Sequence, residues 1–340
     1  MKEQYLSPPV DDRQIWDIWL SFHNLPAMLA ADEVGLFDAL ADGPLPVDAL
    51  ATRCNVNVRA LGIVGSLLCA LGLIVRRDDR YGLTPVSRYY LVKTSSFYWG
   101  ALLAGFRQAT PSTELIIAAL APDAEHEGGE NSRGWEAGEI SADRARHIAA
   151  FMHAHSCAAA IGVARHPALA QVMRVLDVGG GSGVFSIAMA QRWPQLRGTI
   201  MDLDTMCDAA LHYVREGGVA DRVDTVAIDM FREPWPTGYD ALFFSNVFHD
   251  WTDETCLDLA RKAFDALPSG GRIMLHEALI DDNLDGPATT ASFSILMLYG
   301  TQGRQFTLPE LAALLGKAGF IECDANATCG YYSLVTARKP

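Results

Sequence analysis

The stretch Arg174–Asp204, RVLDVGGGSGVFSIAMAQRWPQLRGTIMDLD, holds residue types whose spacing could do chemistry. Val175, Leu176 and Val178 make a short apolar run of the kind a buried parallel strand needs, and the chain then turns through Gly179, Gly180, Gly181, Ser182 and Gly183. A helix follows, apolar at Phe185, Ile187, Ala188 and Ala190, until Trp193-Pro194 stops it; Thr199-Ile200-Met201 then starts a second strand that ends at Asp202. Strand, glycine turn, helix, strand and acid make a nucleotide-binding unit. The glycines let a ligand approach the backbone where a Cβ would collide, and the acid can accept from both hydroxyls of a ribose.

The spacing selects among nucleotides. Gly179, Gly181 and Gly183 give G-x-G-x-G, and Val184 stands where the dinucleotide pattern G-x-G-x-x-G has its last glycine. Asp177, just ahead of the turn, would repel a pyrophosphate and attract an ammonium or sulfonium. These residues point to S-adenosylmethionine as cofactor.

Composition bounds the remaining possibilities. A chain of 340 residues, half of them apolar, has room for two domains, and a net charge of −14 disfavours nucleic acid as a partner. The seven cysteines (Cys54, Cys69, Cys157, Cys207, Cys256, Cys323, Cys329) are scattered without a C-x-x-C, which fits a reducing, cytoplasmic location and neither disulfides nor a zinc site. The N-terminal MKEQYLSPPVDD is too polar for a signal peptide, and no uninterrupted apolar run is long enough for a bilayer, so no membrane partner is expected.

Apolar positions from Arg13 to Leu40 repeat with helical periodicity on more than one face, which needs cover from the same chain or from a second subunit. Between Pro46 and Ser95, two helices (VDALATRCNV, VRALGIVGSLLCALGLI) and two short strands around Asp78-Asp79-Arg80 read as a winged helix. A DNA-binding regulator would want basic residues on its recognition helix, yet Val58–Leu71 has only Arg59, so a part in dimerisation fits better. A helical stretch over Ala101–Asp123 and a polar loop over Glu125–Gly134 place the domain boundary at 130/131. Beyond it a helix spans Ser141–Ala170. After Asp202 come helix Asp204–Glu216, strand Val223–Ala227, strand Ala241–Phe244, helix Asp253–Leu267 and strand Arg272–Leu275. Their polar strand ends share the carboxyl edge of a parallel sheet, where open α/β sheets bind ligands.

LDVGGGSG, MDLD, DMF, VFHDW and the G-x-x-G-F tail at Gly316–Phe320 resemble, over the whole chain, the S-adenosylmethionine-dependent small-molecule O-methyltransferases typified by plant caffeic acid O-methyltransferase and bacterial relatives. The resemblance implies an α/β, Rossmann-like class I methyltransferase domain (131–340) preceded by an all-α, winged-helix-like dimerisation domain (1–130). It also implies a homodimer and a small-molecule acceptor. On the cofactor it implies Asp177, Gly179, Gly181, Gly183, Asp202, Leu203, Asp229, Met230 and Phe231, with Ser245 where the family has a lysine.

For catalysis the resemblance makes His249 of HDW the general base, the group a neutral hydroxyl needs before it can displace at the sulfonium methyl. Glu277 in LHEALI matches one of two flanking acids; the other, in the family's G-x-E-R-T, is replaced by Gln305, a neutral amide that can orient a partner without holding charge. That departure keeps S-methylation of a thioether, or C-methylation of a 2-oxo acid, open as alternatives. A metal-assisted variant would draw on His249, Asp250 and His276, but no histidine follows His276, and no metal is expected. The acceptor wall is assigned to Phe151, Met152 and His155, to Asp250, to Met297 within Phe293–Tyr299, and to Trp135 or Tyr98 from the N-terminal side.

Overall fold

The computed structural model describes residues 11–108, 113–120 and 130–340, and the chain divides into the units Met1–Gln108 and Ala109–Pro340. In the first, the expected helical stretch is broken into α1 (Arg13–Ser21), α2 (Asn24–Glu33) and α3 (Leu36–Ala39), the last break made by Gly35 in the left-handed region. Leu36, Phe37 and Leu40 enter a core with Leu50, Leu68, Ile74 and Tyr81, whereas α1 buries none of its residues. Next come β1 (Leu45–Pro46), α4 (Val47–Cys54) and α5 (Val58–Ala70), which ends before the expected Ile74 because Gly72 turns left-handed. β2 (Ile74–Arg77) and β3 (Arg80–Leu83) form the wing, joined by Asp78 and Asp79, both at positive φ as a two-residue hairpin turn requires. α6 (Pro85–Tyr90) and α7 (Gly100–Gln108) complete the unit. Tyr98 donates to Asp32 Oδ1 at 2.9 Å, and Arg107 pairs with the same buried carboxylate, so Tyr98 is committed within this unit.

The second unit starts with α8 (Thr113–Ala119) and α9 (Glu130–Ala137). The end of the expected polar loop is thus helical from Glu130, and residues 121–129 lie outside the described residues. α8 packs on a helix of the second unit, so the division falls ahead of 130/131. α10 (Ala142–Ala164), capped by Ser141, is long and apolar enough by length and composition to cross a bilayer, against expectation. Ala149, Ala159, Ala160 and Val163 are buried on it, and it packs against three elements of the catalytic fold described next, as a core helix does.

β4 (Arg174–Val178), α11 (Val184–Arg192), β5 (Arg197–Asp202), α12 (Asp204–Glu216) and β6 (Val223–Ala227) build one half of the sheet. β7 (Ala241–Ser245), α13 (Asp253–Ala266), β8 (Arg272–Ala278), α14 (Ala288–Gly300), α15 (Leu308–Lys317), β9 (Ile321–Cys329) and β10 (Tyr332–Arg338) build the other. The spatial order is β6-β5-β4-β7-β8-β10-β9. The first five strands are parallel; β10 runs antiparallel to both neighbours, making the sheet mixed. Alternate residues serve opposite faces: Leu176, Leu242 and Phe244 pack under α13 and α15, while Val175, Ala241 and Phe243 join α10 and α11. α10 touches α11, α12 and β9, and α8 lies on α14. The strand order reverses between β4 and β7, so the loops after these two strands flank the crevice where such sheets bind ligands.

Candidate active site

At the tip of β4 the turn runs through Gly179, Gly181 and Gly183, all at positive φ. A Cβ on Gly183 would press into the Ile200 side chain, so the residue has both a conformational and a steric reason to be glycine. Asp177 is fully buried beneath this turn and accepts the Ser186 hydroxyl at 2.7 Å. Burial, reinforced by Asp202 and opposed by Ser186, pushes its pKa up to about 7. Asp177 therefore braces the turn from below; the free charge expected to draw a sulfonium is not what the structure presents.

Asp202 ends β5 with Oδ2 accepting from Gly181 N at 2.9 Å and Oδ1 from Leu203 N at 2.8 Å. Burial raises its pKa to about 6 against the pull of these two donors. Each oxygen retains a lone pair, so the acid that ties the glycine turn to β5 can also accept from a vicinal diol. Beside it lie a cavity of about 300 Å³ lined by Gly138, Leu203, Ile228, Asp229 and Arg232, and another of about 250 Å³ lined by Glu136, Phe231, Trp251 and Thr255. Asp229 accepts from Phe231 N at 2.8 Å and pairs with Arg232 at 2.8 Å, and the Met230 carbonyl is held by Trp235 Nε1 and Lys262 Nζ. Phe231 meets Trp251 edge to face at 4.8 Å. A diol-accepting acid, a glycine turn, an adjoining cavity and a second one edged by Phe231 and Trp251 fit an adenosine cofactor. α9 closes this side: Gln302 Nε2 donates to Glu136 Oε1 at 2.6 Å, and Trp135 is half-buried between two core clusters on this helix, which packs on α14.

His249 lies in a one-turn 3₁₀ segment, Phe248–Asp250, directly after β7. Glu277, buried on β8, fixes that segment by accepting from Val247 N and Phe248 N on Oε1, at 3.3 and 3.1 Å, while its Oε2 stands 2.9 Å from His249 Nδ1. Nε2 is 3.6 Å from Asp250 Oδ1, too far for a hydrogen bond, and so is the nitrogen left for an acceptor. Burial works against a charged imidazole, but the Glu277 and Asp250 carboxylates, with the Gln305 amide lying against the ring, more than offset it and raise the pKa to about 9. Asp250 itself is raised to about 6 by burial. Gly303 packs its backbone against the His249 carbonyl, where a Cβ would overlap it. From α14, Phe293 meets the imidazole edge to face at 5.1 Å and Met297 is buried a turn further on. The expected trio of His249, Glu277 and Gln305 is thus brought together.

Sequence reading missed a second polar array beside the first. Tyr332 donates to Asn246 Oδ1 (2.9 Å), Asn246 Nδ2 to Ser245 Oγ (3.4 Å), Ser245 Oγ meets His276 Nδ1 (3.0 Å), and His276 Nε2 meets Thr328 Oγ1 (3.0 Å). Thr328 Oγ1 donates to the Tyr332 carbonyl, closing a ring, and the Tyr332 and His276 rings stack at 4.7 Å. Donor counting then gives His276 a proton on Nε2 only, in keeping with burial and the neighbouring His155 holding its pKa down to about 3. Both His276 nitrogens are occupied, and Ser245, expected at the cofactor, is joined to this ring. His155 joins through Nε2 to the Tyr332 hydroxyl at 3.4 Å; burial and the nearby His249 lower it to about 4. Phe151 and Met152 sit half-buried one turn before it on α10. Asn246 stands at positive φ, and a non-glycine residue held left-handed at a strand tip marks a constrained loop.

Residues 125–321 match the family described as O-methyltransferase domain, and residues 16–93 the O-methyltransferase dimerisation domain. The chain is 33% identical to 3-hydroxy-5-methyl-1-naphthoate 3-O-methyltransferase of Streptomyces sahachiroi, over 90% of this chain and 88% of that protein. It is 27% identical to the N,N-dimethyltransferase OxyT of Streptomyces rimosus, over 93% and 92% of the two chains. The crystal structure of human N-acetylserotonin methyltransferase in complex with SAM superposes with a TM-score of 0.77 at 23% identity, covering 98% of this chain and 99% of that one. The chain therefore belongs to the S-adenosylmethionine-dependent O-methyltransferases, with a class I methyltransferase domain behind a dimerisation domain.

Proposed function

We propose that this enzyme methylates a hydroxyl on an aromatic small molecule, with His249 as general base, Glu277 holding that base, and Asp202, Asp229 and the glycine turn holding the cofactor. The observation that carries the reading is the buried His249–Glu277 ion pair at the carboxyl edge, with Nδ1 2.9 Å from Glu277 Oε2 and Nε2 turned away from it. When bound, S-adenosylmethionine supplies an electrophilic methyl on a sulfonium whose charge favours the neutral imidazole. Nε2 accepts the hydroxyl proton as the oxygen displaces at carbon, and the resulting imidazolium is neutralised by Glu277. Phe293 and Met297 exclude water from that proton transfer. The naphthoate 3-O-methyltransferase relative supports an aromatic hydroxyl as acceptor.

The same reading makes the enzyme a homodimer in a reducing cytoplasm: Trp16, Ile18, Trp19 and Phe22 are exposed within the dimerisation-domain match, and the cysteines are free. The test is product analysis after incubation with methyl-labelled S-adenosylmethionine and a panel of phenols, naphthols, aryl amines and thioethers. Label on phenolic oxygen is expected; label confined to nitrogen or sulfur overturns the reading.

A further inference from the structure

The acceptor side contains buried polar atoms that the protein itself leaves unmet. Gln305 is 2% exposed, its amide lies against the His249 ring, and neither Oε1 nor Nε2 makes a hydrogen bond of good geometry; Thr290 is 1% exposed and its Oγ1 has no partner. Buried amides and hydroxyls in folded proteins are almost always satisfied, so a group left bare beside a catalytic base is waiting for a ligand. The backbone at Gln305 is pinned: its N–H donates to Ser294 Oγ at 3.1 Å, and Arg304, held by Glu310 at 3.0 Å, donates to its carbonyl. Thr290 lies one turn before Ser294 on the same face of α14, the face that also places Phe293 on the His249 ring. The two orphaned groups and the base therefore share one wall.

We propose that Gln305 and Thr290 form an acceptor subsite that reads a neutral oxygen, a hydroxyl or keto carbonyl, on the ring carbon next to the hydroxyl being methylated. The inference rests on the base reading of His249. Gln305 lies against the imidazole that takes the acceptor's proton, so the group it binds is a near neighbour of the reacting oxygen. An amide offers one donor face and one acceptor lone-pair face, which suits a hydroxyl or carbonyl. A carboxylate at that ring position is excluded by charge, because Glu277 and Asp250 already flank the imidazole. Replacing the family's carboxylate by Gln305 thus exchanges a charge partner for the base against a reader of the acceptor.

The test compares 2-naphthol, 2,3-dihydroxynaphthalene and 3-hydroxy-2-naphthoate, with phenol and catechol as a smaller pair. Affinity for the enzyme saturated with S-adenosylhomocysteine is read by calorimetry, and kcat and KM separately. The wild type is expected to favour the dihydroxy compound tenfold or more over both naphthalene analogues, mainly in affinity and KM. Gln305→Met is expected to bring that ratio to about one while S-adenosylhomocysteine affinity stays unchanged. An equal or reversed preference in the wild type, absent binding of the dihydroxy compounds, or a ratio preserved in Gln305→Met overturns the subsite. Should Gln305→Met lose S-adenosylhomocysteine binding, Thr290→Val decides by the same ratio. Because the affinities need no turnover, a failure of the base reading appears separately, as methyl on another atom.

Discussion

Asp202 serves two clients at once. Its oxygens accept Gly181 N and Leu203 N, so the acid shapes the turn before any ligand arrives, and on the proposed reading the ribose takes the lone pairs that remain. Asp202→Ala is expected to weaken S-adenosylhomocysteine binding by roughly 1.5–3 kcal/mol in calorimetry, the scale of lost charged hydrogen bonds, with no NAD binding by the wild type or the variant. Undiminished affinity would show that the ligand lies elsewhere. Asp177 presents the opposite case. A carboxylate ahead of a glycine turn reads from sequence as a charge for the ligand, yet it is the period-2 alternation of β4 that turns it beneath the loop toward Ser186. Sequence places a residue on a strand end; only packing decides which way it looks.

At the level of elements, His249 is positioned by three separate pieces of chain: the tip of β7, Glu277 on β8, and the 301–305 segment after α14. The last contact depends on Gly303, whose Cβ position is taken by the His249 carbonyl. Gly303→Ala is expected to cost about 1–3 kcal/mol of stability by overpacking, and to lower kcat at least tenfold while leaving S-adenosylhomocysteine affinity near normal. Unchanged kcat in a folded variant would remove Gly303 from the positioning scheme. The strands and helices around the site were legible because their signals are local: α12 and β6 fall on the expected residues, and Trp193-Pro194 ends α11 as read. The glycine turn and HDW were legible for the same reason. The ring through Tyr332, Asn246, Ser245, His276 and Thr328 was not, because it joins the ends of four strands, β7 to β10, from distant parts of the sequence, and its members have no motif. Ser245 is joined to that ring through His276, and Trp135 lies on a helix from Glu130 where a loop was expected. Tyr332→Phe is expected to lower kcat several-fold with cofactor affinity intact, since Asn246 then loses the donor that steadies the loop to His249.

Across the whole molecule, charge and surface set the remaining expectations. The exposed Trp16, Trp19 and Phe22 of the first unit call for a partner surface, and light scattering at micromolar concentration is expected to return a dimer; a stable monomer would reject it. Stability should respond to pH through the buried site. His249 is raised above its unfolded value near 6.5, so its contribution is full below that pH and is lost as pH rises through about 9, on the order of 3 kcal/mol. Asp177, also raised, acts in the same direction up to about pH 7. The melting temperature is therefore expected to fall between pH 7 and 9.5, and less so in His249→Gln. That same charge state governs catalysis, because an imidazole with a pKa near 9 is protonated at neutrality and must give up its proton before it can accept one. The most direct measurement is the pH dependence of kcat/KM for a phenolic acceptor, in the wild type and in His249→Ala. A general base at His249 gives a rate that climbs with pH toward a plateau at or below about 9, a loss of about 10²–10⁴-fold in the variant, and unchanged S-adenosylhomocysteine affinity. A flat profile between pH 6 and 9 together with an active His249→Ala would contradict it.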